Sequence, residues 1–371
     1  MIKVLSISMI VVVSLHGLIH LMGFVAYWPL GKIAELPYKT TLLGDLWEIG
    51  AAGTRLFSLM WLLVTLGFLA AALALAIGRS WWAPLLLGAV LFSLLLCILD
   101  WAAAFRGAWI DVALLLALAL VFGVRVKPAP FPAFTAPVAA IETIPLPPGL
   151  PAPVERFYRQ TYGEEIPVYR SAVMSGRGTV RFMGVTFPAR LRFSHISGKS
   201  YRHYMEATFY GFPVFKVNEW YLDGHSRLEL PFGVVENDPG VDSAANQGLW
   251  AESMAYPALF ITDPRARWEA IDETHASLVV PFGDSEQVFT IQFDPQSGEM
   301  VRFETERYRD AKAGTLRWWG EVMDGKIQPG VPPDLVLAVT WEDEGTPWLV
   351  YALEEVAFNA DLSAYIRQAG P

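Results

Sequence analysis

The chain has 371 residues, 53% of them hydrophobic and 18% charged, with a mean hydropathy of +0.35, values that fit neither an ordinary soluble enzyme nor a disordered tail. Charge is divided unevenly: residues 1–127 carry a net +3 and residues 128–371 a net −12. The acidic half has no basic run, which argues against nucleic acid as a partner, and the single cysteine, Cys97, excludes an intrachain disulfide and a thiolate zinc site.

Four apolar stretches near residues 4–26, 54–77, 81–99 and 108–126 each have about the 17 to 25 residues that cross a bilayer, so residues 1–127 are expected to form a four-span helical membrane domain. The first is too long for a secretory signal and lacks a small-residue cleavage site. Trp28, Trp47, Trp81, Trp82, Trp101 and Trp109 fall at the expected span ends, where amphipathic rings prefer the headgroup layer. The lipid bilayer is thus one partner and the cell membrane the expected location. For orientation, Lys3, Arg79, Arg125 and Lys127 oppose Lys32, Lys39, Arg55 and Arg106; because Arg125 and Lys127 abut a span end, the balance leans toward a cytoplasmic C-terminal half.

His16 and His20 lie four apart and share one helical face. One reading is a metal or haem site completed by Asp100 or Asp111; the other, preferred here, is that both histidines hydrogen-bond across helices and fix their packing. Asp100 and Asp111 bracket residues 101–110, read as a short turn whose carboxylates are solvated.

Residues 128–153 hold nine prolines and are expected to be an extended, semi-rigid linker. Residues 152–162 then read as a helix with Val154, Phe157 and Tyr158 on one side. From there the period changes to two: alternating segments at 177–184, 187–196, 200–209, 212–222, 225–231, 266–273, 276–282, 286–293, 299–308, 315–323, 334–342 and 347–358 predict a mainly antiparallel all-β domain within residues 154–371. Asp223-Gly224 and Asp294 to Gly298 supply turn chemistry. The strands are interrupted at Asn246–Phe260, where Leu249, Trp250, Ser253 and Met254 follow helical spacing until Pro257. The expectation is a curved half-barrel sheet with this helix lying on it as a lid. Its many aromatic residues suit either a cavity for an apolar ligand or an ordinary core, and packing is the default.

Chemistry is sparse. His195, His203, His225 and His275 have no partner at informative spacing, and Gly176-Arg-Gly178 is too short to cradle a phosphate and reads as the opening of a strand. Glu252, beside Trp250, would have a raised pKa if held against an apolar sheet, although a capping role or a salt bridge to Arg265 or Arg267 ranks first. On the strand 299–308, Arg302, Glu304 and Glu306 form a solvated ladder, whereas Arg307 falls on the Phe303 side and needs a partner such as Glu321 or Asp272. Candidate ligand-binding residues are Trp250, Glu252, Trp220, Arg307 and Trp318. No catalytic residue is assigned, and no metal or cofactor is expected.

The segment His16-Gly-Leu-Ile-His20-Leu-Met-Gly-Phe24, Trp61 to Leu63, Trp81-Trp82 and Trp101 to Asp111 resembles an uncharacterised bacterial family of four-span membrane proteins followed by a β-rich domain of unknown function. The acidic half matches through Trp220 to Gly224, Leu249 to Ser253 with Tyr256-Pro257, Trp268 to Asp272, Phe293 to Gly298, Arg307 and Trp318. Where that family has a Lys-Phe-Gly run, this chain has Phe105-Arg-Gly107. The resemblance implies architecture and no activity. A looser similarity at fold level is to bacterial lipoprotein-carrier and lipid-binding half-barrels.

The leading functional reading is a membrane-anchored module that binds an apolar or lipid-like molecule. The alternatives are an enzyme acting on a membrane substrate, with Glu252, Asp272, His275 or Arg307 in its site, and a scaffold that binds a protein partner through its acidic surface.

Overall fold

The computed structural model describes residues 2–309, 314–330 and 335–371, with backbone alone for residues 2–6. The Lys3 side chain and Asp334, first residue of one expected strand, lie outside the described residues. The chain divides into two compact units, residues 1–123 and 124–371.

The first unit is helical: α1 (Ile2–Ile19), α2 (Leu21–Tyr27), α3 (Gly50–Ala76), α4 (Trp82–Leu99) and α5 (Trp101–Gly123), with a two-residue hairpin of β1 (Thr41–Leu42) and β2 (Trp47–Glu48) before α3. Four helical stretches are long and apolar enough to cross a membrane, at Ile7–Tyr27, Gly50–Ala76, Trp82–Leu99 and Trp101–Gly123. Between α1 and α2 the chain tightens at His20, whose N–H donates to the Gly17 carbonyl at 3.2 Å, a three-residue closure in place of the α-helical four. Residues 101–110 are the start of α5 and not a turn. Ala102 to Ala104 are strong helix formers and the stretch has no proline, so helix propensity carries through the polar residues. Trp109 consequently lies two turns inside α5 and not at its end.

In the second unit, residues 128–153 are extended but only partly a spacer. Phe131 is buried with the guanidinium of Arg190 over its ring at 4.4 Å, and β3 (Glu142–Pro145) pairs with β4 (Glu165–Val168). Between them α6 (Ala152–Thr161) buries Val154, Phe157 and Tyr158, as its spacing predicts.

The body is one open antiparallel sheet of 13 strands. In chain order these are β5 (Ser171–Phe182), β6 (Val185–Ile196), β7 (Ser200–Phe209), β8 (Phe212–Leu222), β9 (His225–Leu230), β10 (Gly233–Glu236), β11 (Arg267–Ala270), β12 (His275–Phe282), β13 (Ser285–Phe293), β14 (Met300–Tyr308), β15 (Thr315–Asp324), β16 (Val336–Trp341) and β17 (Leu349–Phe358). Their spatial order is β10-β9-β8-β7-β6-β5-β17-β16-β15-β14-β13-β12-β11. Two runs of hairpins are therefore joined where the first and last long strands meet. That β5–β17 seam is where Gly176 and Gly178 lie: a Cβ on Gly178 would stand 1.9 Å from the Val350 carbonyl oxygen. The glycines belong to mid-strand close packing and do not open a strand. The hairpin turns at Met183-Gly184, Tyr210-Gly211 and Asp223-Gly224 place both central residues at positive φ, the condition for a type I′ connection.

The helix that interrupts the strands is α7 (Pro239–Glu252), followed by a short 3₁₀ turn and α8 (Leu259–Thr262). It begins seven residues earlier than its apolar spacing indicates, because Gly240, Asp242, Ser243, Asn246 and Gln247 carry no hydrophobic period. The start is set by the Asp238 carboxylate, which accepts from Gly240 N at 2.9 Å and Val241 N at 3.1 Å, with Pro239 behind it. α7 packs on β8 and β9 from one arm of the sheet and on β12 and β14 from the other, and residues 244–251 are all buried. It is a core element around which the sheet bends, where a lid was expected. Polar pegs hold it: Asn246 Nδ2 donates to the Pro281 carbonyl at 2.9 Å, and Gln247 Nε2 donates to the Glu306 carbonyl at 2.8 Å.

A fragment of residues 124–371 is expected to fold by itself, whereas one starting at residue 150 loses Phe131 and β3. Losing a buried phenylalanine costs about 3 to 5 kcal/mol, so the shorter fragment should melt about 5 to 15 °C lower. Equal melting midpoints would show that the proline-rich segment contributes nothing to the fold.

Candidate functional site

Polar side chains gather in the helical unit around Asp111, which is fully buried and far from the solvated state expected for it. Its Oδ1 meets His16 Nε2 at 2.8 Å, and Ser93 Oγ donates to its Oδ2 at 2.6 Å. Ser93 in turn meets His20 Nε2 at 2.6 Å, and His20 Nδ1 donates to the His16 carbonyl at 2.7 Å. Asp100 is also buried and accepts from Tyr27 and Lys39. Carboxylates on apolar helices are retained by finding donors on neighbouring helices, which explains why both left the surface.

The second constellation lies inside the β unit. In the β6–β7 hairpin Phe193 pairs with His203 and His195 with Tyr201, so the two histidines are diagonal neighbours on one face. Glu252, the last residue of α7, reaches between them: its Oε2 lies 2.8 Å from His195 Nε2 and 2.7 Å from His203 Nε2, and the two ring nitrogens are 3.2 Å apart. His195 Nδ1 meets the Tyr256 hydroxyl at 3.0 Å. His203 Nδ1 faces Glu219 Oε2 at 3.8 Å, the Tyr201 hydroxyl donates to Glu219 Oε1 at 2.6 Å, and the Tyr201 ring stacks on His203 at 3.8 Å.

Burial works against charge on all of these groups, and at Glu252 and His203 the opposed charges and hydrogen bonds outweigh it. Glu252 is pulled down to about 2 by His203 and His195, and His203 is pushed up to about 9 by Glu252 and Glu219. This reverses the raised pKa expected for Glu252, because its surroundings are cationic and not merely apolar. Desolvation dominates at His195 and keeps it below its usual value, hence neutral.

The cluster forms one wall of a chamber of about 110 Å³, whose lining also includes Arg307 and Glu321 and is otherwise mainly apolar, with Phe193, Met205, Phe303, Trp318 and Leu337. A wider cleft of about 630 Å³ adjoins it, walled by apolar residues such as Leu228, Val235, Val241 and Trp341 and by the charged Arg181, Arg309 and Glu344. Glu219, Arg307 and Trp348 line both spaces and so form the neck between them. Arg307 donates from Nε to the Ala244 carbonyl at 3.1 Å and lies 4.3 Å over the Trp318 ring. Among the described residues it has no carboxylate within ion-pair distance; Asp272 is engaged with His275 and Glu321 lies opposite Arg302. Gly248 lies where these groups converge. A Cβ there would stand 3.6 Å from Arg307 Nη2, 3.9 Å from the Tyr201 hydroxyl and 4.0 Å from Glu252 Oε1.

Of the residues named from sequence, Glu252, Arg307 and Trp318 meet at this chamber. Trp250 is buried in the core behind it, near Phe260. Trp220 alternates to the opposite face of β8 from Glu219, the face that carries Arg202 and Tyr365. Glu252 does not pair with Arg265 or Arg267, which are held by Asp263 and by Glu269 and Glu286. Asp272 and His275 pair with each other and do not line the chamber. His195, His203, Glu219, Tyr201 and Tyr256 were missed. The signal for the histidines was present: a hairpin turning at Ser197-Gly198-Lys199 places residues 195 and 203 diagonally on one face.

A folded-state pKa raised at His203 stabilises below about pH 6.5 and is lost toward pH 9; one lowered at Glu252 stabilises above about pH 4.5 and is lost toward pH 2. Melting of the protein in chelator-containing buffer should therefore fall between pH 6.5 and 9. Glu252→Gln should lower the midpoint and shrink that fall, while Trp250→Ala should lower the midpoint at every pH without changing the profile. Superimposable profiles for wild type and Glu252→Gln would contradict the assignment.

No curated protein matches the chain. A crystal structure from Vibrio parahaemolyticus, described as an outer membrane lipoprotein-sorting protein domain, aligns over 57% of this chain and 90% of its own length with 12% identity and a TM-score of 0.32. The family of unknown function DUF6544 matches residues 140–352, which include the β4 strand, the whole of α7, both histidines, Glu252 and Arg307, and the chain belongs to that family.

Proposed function

We propose that this chain is a membrane-anchored binding protein whose β unit takes an amphiphile with an anionic group. The observation that carries the reading is Arg307: a guanidinium over a tryptophan face, at the neck of a cleft with both apolar and charged walls, with no carboxylate partner among the described residues within ion-pair distance. A half-buried charge of this kind is costly unless a counter-charge reaches it. The outer cleft falls within the roughly 300 to 1,000 Å³ of small-molecule sites, whereas the inner chamber has room for a polar group and not for an acyl chain. The apolar body thus occupies the outer cleft and the anionic group meets Arg307.

Two further features support a membrane source. Four helices of the other unit are long and apolar enough to cross a bilayer. In the β unit the turns at 183–184, 210–211 and 231–232 fall at one end of consecutive hairpins, and Met183, Phe212 and Phe232 there are 81%, 74% and 73% exposed. Leu230 and Arg181, which border those turns, also line the outer cleft. An apolar edge of this kind favours the bilayer interface, and it opens beside the cleft.

Oleate binding to the full-length protein in detergent, measured against a neutral monoacylglycerol, tests the reading. The wild type should prefer oleate, and Arg307→Gln should weaken oleate about tenfold or more while leaving the monoacylglycerol nearly unchanged, as expected for loss of one charge-assisted contact. Equal affinity of wild type and variant for oleate would refute it.

A further inference from the structure

We propose that His195, His203 and Glu252 form a binding site for a zinc-class divalent cation, open on one side to the inner chamber. Two imidazoles and one carboxylate are a donor set suited to such an ion, leaving a fourth position for water or ligand. The donor atoms are already convergent: His195 Nε2, His203 Nε2 and Glu252 Oε2 form a triangle with edges of 2.8, 2.7 and 3.2 Å. A four-coordinate ion with bonds near 2.0 to 2.2 Å holds neighbouring donors about 3.3 Å apart, so admitting the cation requires two edges to open by about half an ångström. The histidines are fixed on paired strands. Glu252 sits at the C-terminal end of α7 with three rotatable side-chain bonds, so it can supply that movement.

Two observations separate this cluster from an ordinary buried ion pair. Two imidazole nitrogens 3.2 Å apart converge on the same carboxylate oxygen, so all three atoms are drawn to one point that a shared proton or a cation would occupy. Each ring also has a partner behind it: His195 Nδ1 meets the Tyr256 hydroxyl at 3.0 Å, where its N–H would donate when Nε2 ligates, and His203 Nδ1 faces the Glu219 carboxylate at the longer distance of 3.8 Å, so outer partners orient both ligating nitrogens inward. Ser253 Oγ holds the Tyr256 hydroxyl in turn at 3.0 Å. His203 and Glu252 line the chamber, while His195 closes the back, so the vacant coordination direction faces the apolar space and Arg307. In the helical unit His16, His20 and Asp111 also lie close together. There His20 Nε2 and both Asp111 oxygens are engaged with Ser93 or His16, and His20 Nδ1 with a carbonyl.

The test is independent of any amphiphile. Full-length protein in detergent is stripped with a chelator, exchanged into chelator-free buffer and titrated with Zn²⁺ by calorimetry and with Co²⁺ by visible absorption. The expected result is one equivalent of either metal, with cobalt bands of a low-coordinate nitrogen and oxygen site. His195→Gln and His203→Gln should abolish stoichiometric binding, and Tyr256→Phe should weaken it about tenfold, as loss of an outer partner does. The double variant His16→Asn/His20→Asn should retain the cobalt spectrum, which locates the site in the β unit even where a His195 or His203 variant fails to fold. Absence of stoichiometric metal in the wild type, retention in a folded His203→Gln, or loss in the His16/His20 double variant would each overturn the proposal.

Discussion

A long antiparallel sheet that bends on itself must fill its concave face, and here that space is filled by a helix placed between strands from opposite arms. α7 can occupy it because small residues, Ala244, Ala245, Gly248 and Ala251, let it approach the sheet, and because Asn246, Gln247 and Asp242 exchange hydrogen bonds with strand backbone and side chains. Polar side chains on a buried helix are costly unless they are met, so the bonds from Ser226 to Asp242 and from Gln287 to the Ser243 carbonyl help to determine the sheet's curvature.

The site follows from this packing. Where α7 presents Gly248 and Ala251 the small side chains leave the inner chamber, and where it ends Glu252 is carried into the centre of the domain. A carboxylate there has to be matched, and His203 and His195 on adjacent strands match it. Glu219 and Arg307 add opposite charges at the neck without forming an ion pair, with Tyr201 donating to the carboxylate and Trp318 lying under the guanidinium. The chamber is therefore apolar in most of its wall and charged in one sector, which is the distribution an amphiphile meets with both of its parts.

Much of the fold was legible in the sequence because period-2 alternation and turn residues are local signals. The strand from Phe212 to Leu222 and its Asp223-Gly224 turn match the structure residue for residue, and α6 is misplaced by one residue at its end. What escaped has physical reasons. The first half of α7 is polar and small, so its burial is imposed by the sheet and not written as a stripe. The start of α5 was hidden by Trp101, Arg106 and Trp109, which read as an interface although alanines around them favour helix. Trp220 was assigned to the ligand by aromatic character alone, and alternation with Glu219 places it on the other face. The His195–His203–Glu252 cluster joins residues more than 40 positions apart, and its two halves meet only because α7 ends against β6 and β7.

The central claim is that the β unit holds an amphiphile whose anionic group meets Arg307. Native mass spectrometry of the intact chain, released from detergent after purification from a lipid-containing host, tests this most directly. The account predicts a discrete adduct of lipid mass on the wild type that gives an anionic amphiphile on dissociation and that is absent from a folded Arg307→Gln variant. A wild type that flies without an adduct under conditions that preserve lipid on other membrane proteins, or an adduct equally retained by Arg307→Gln, would contradict it.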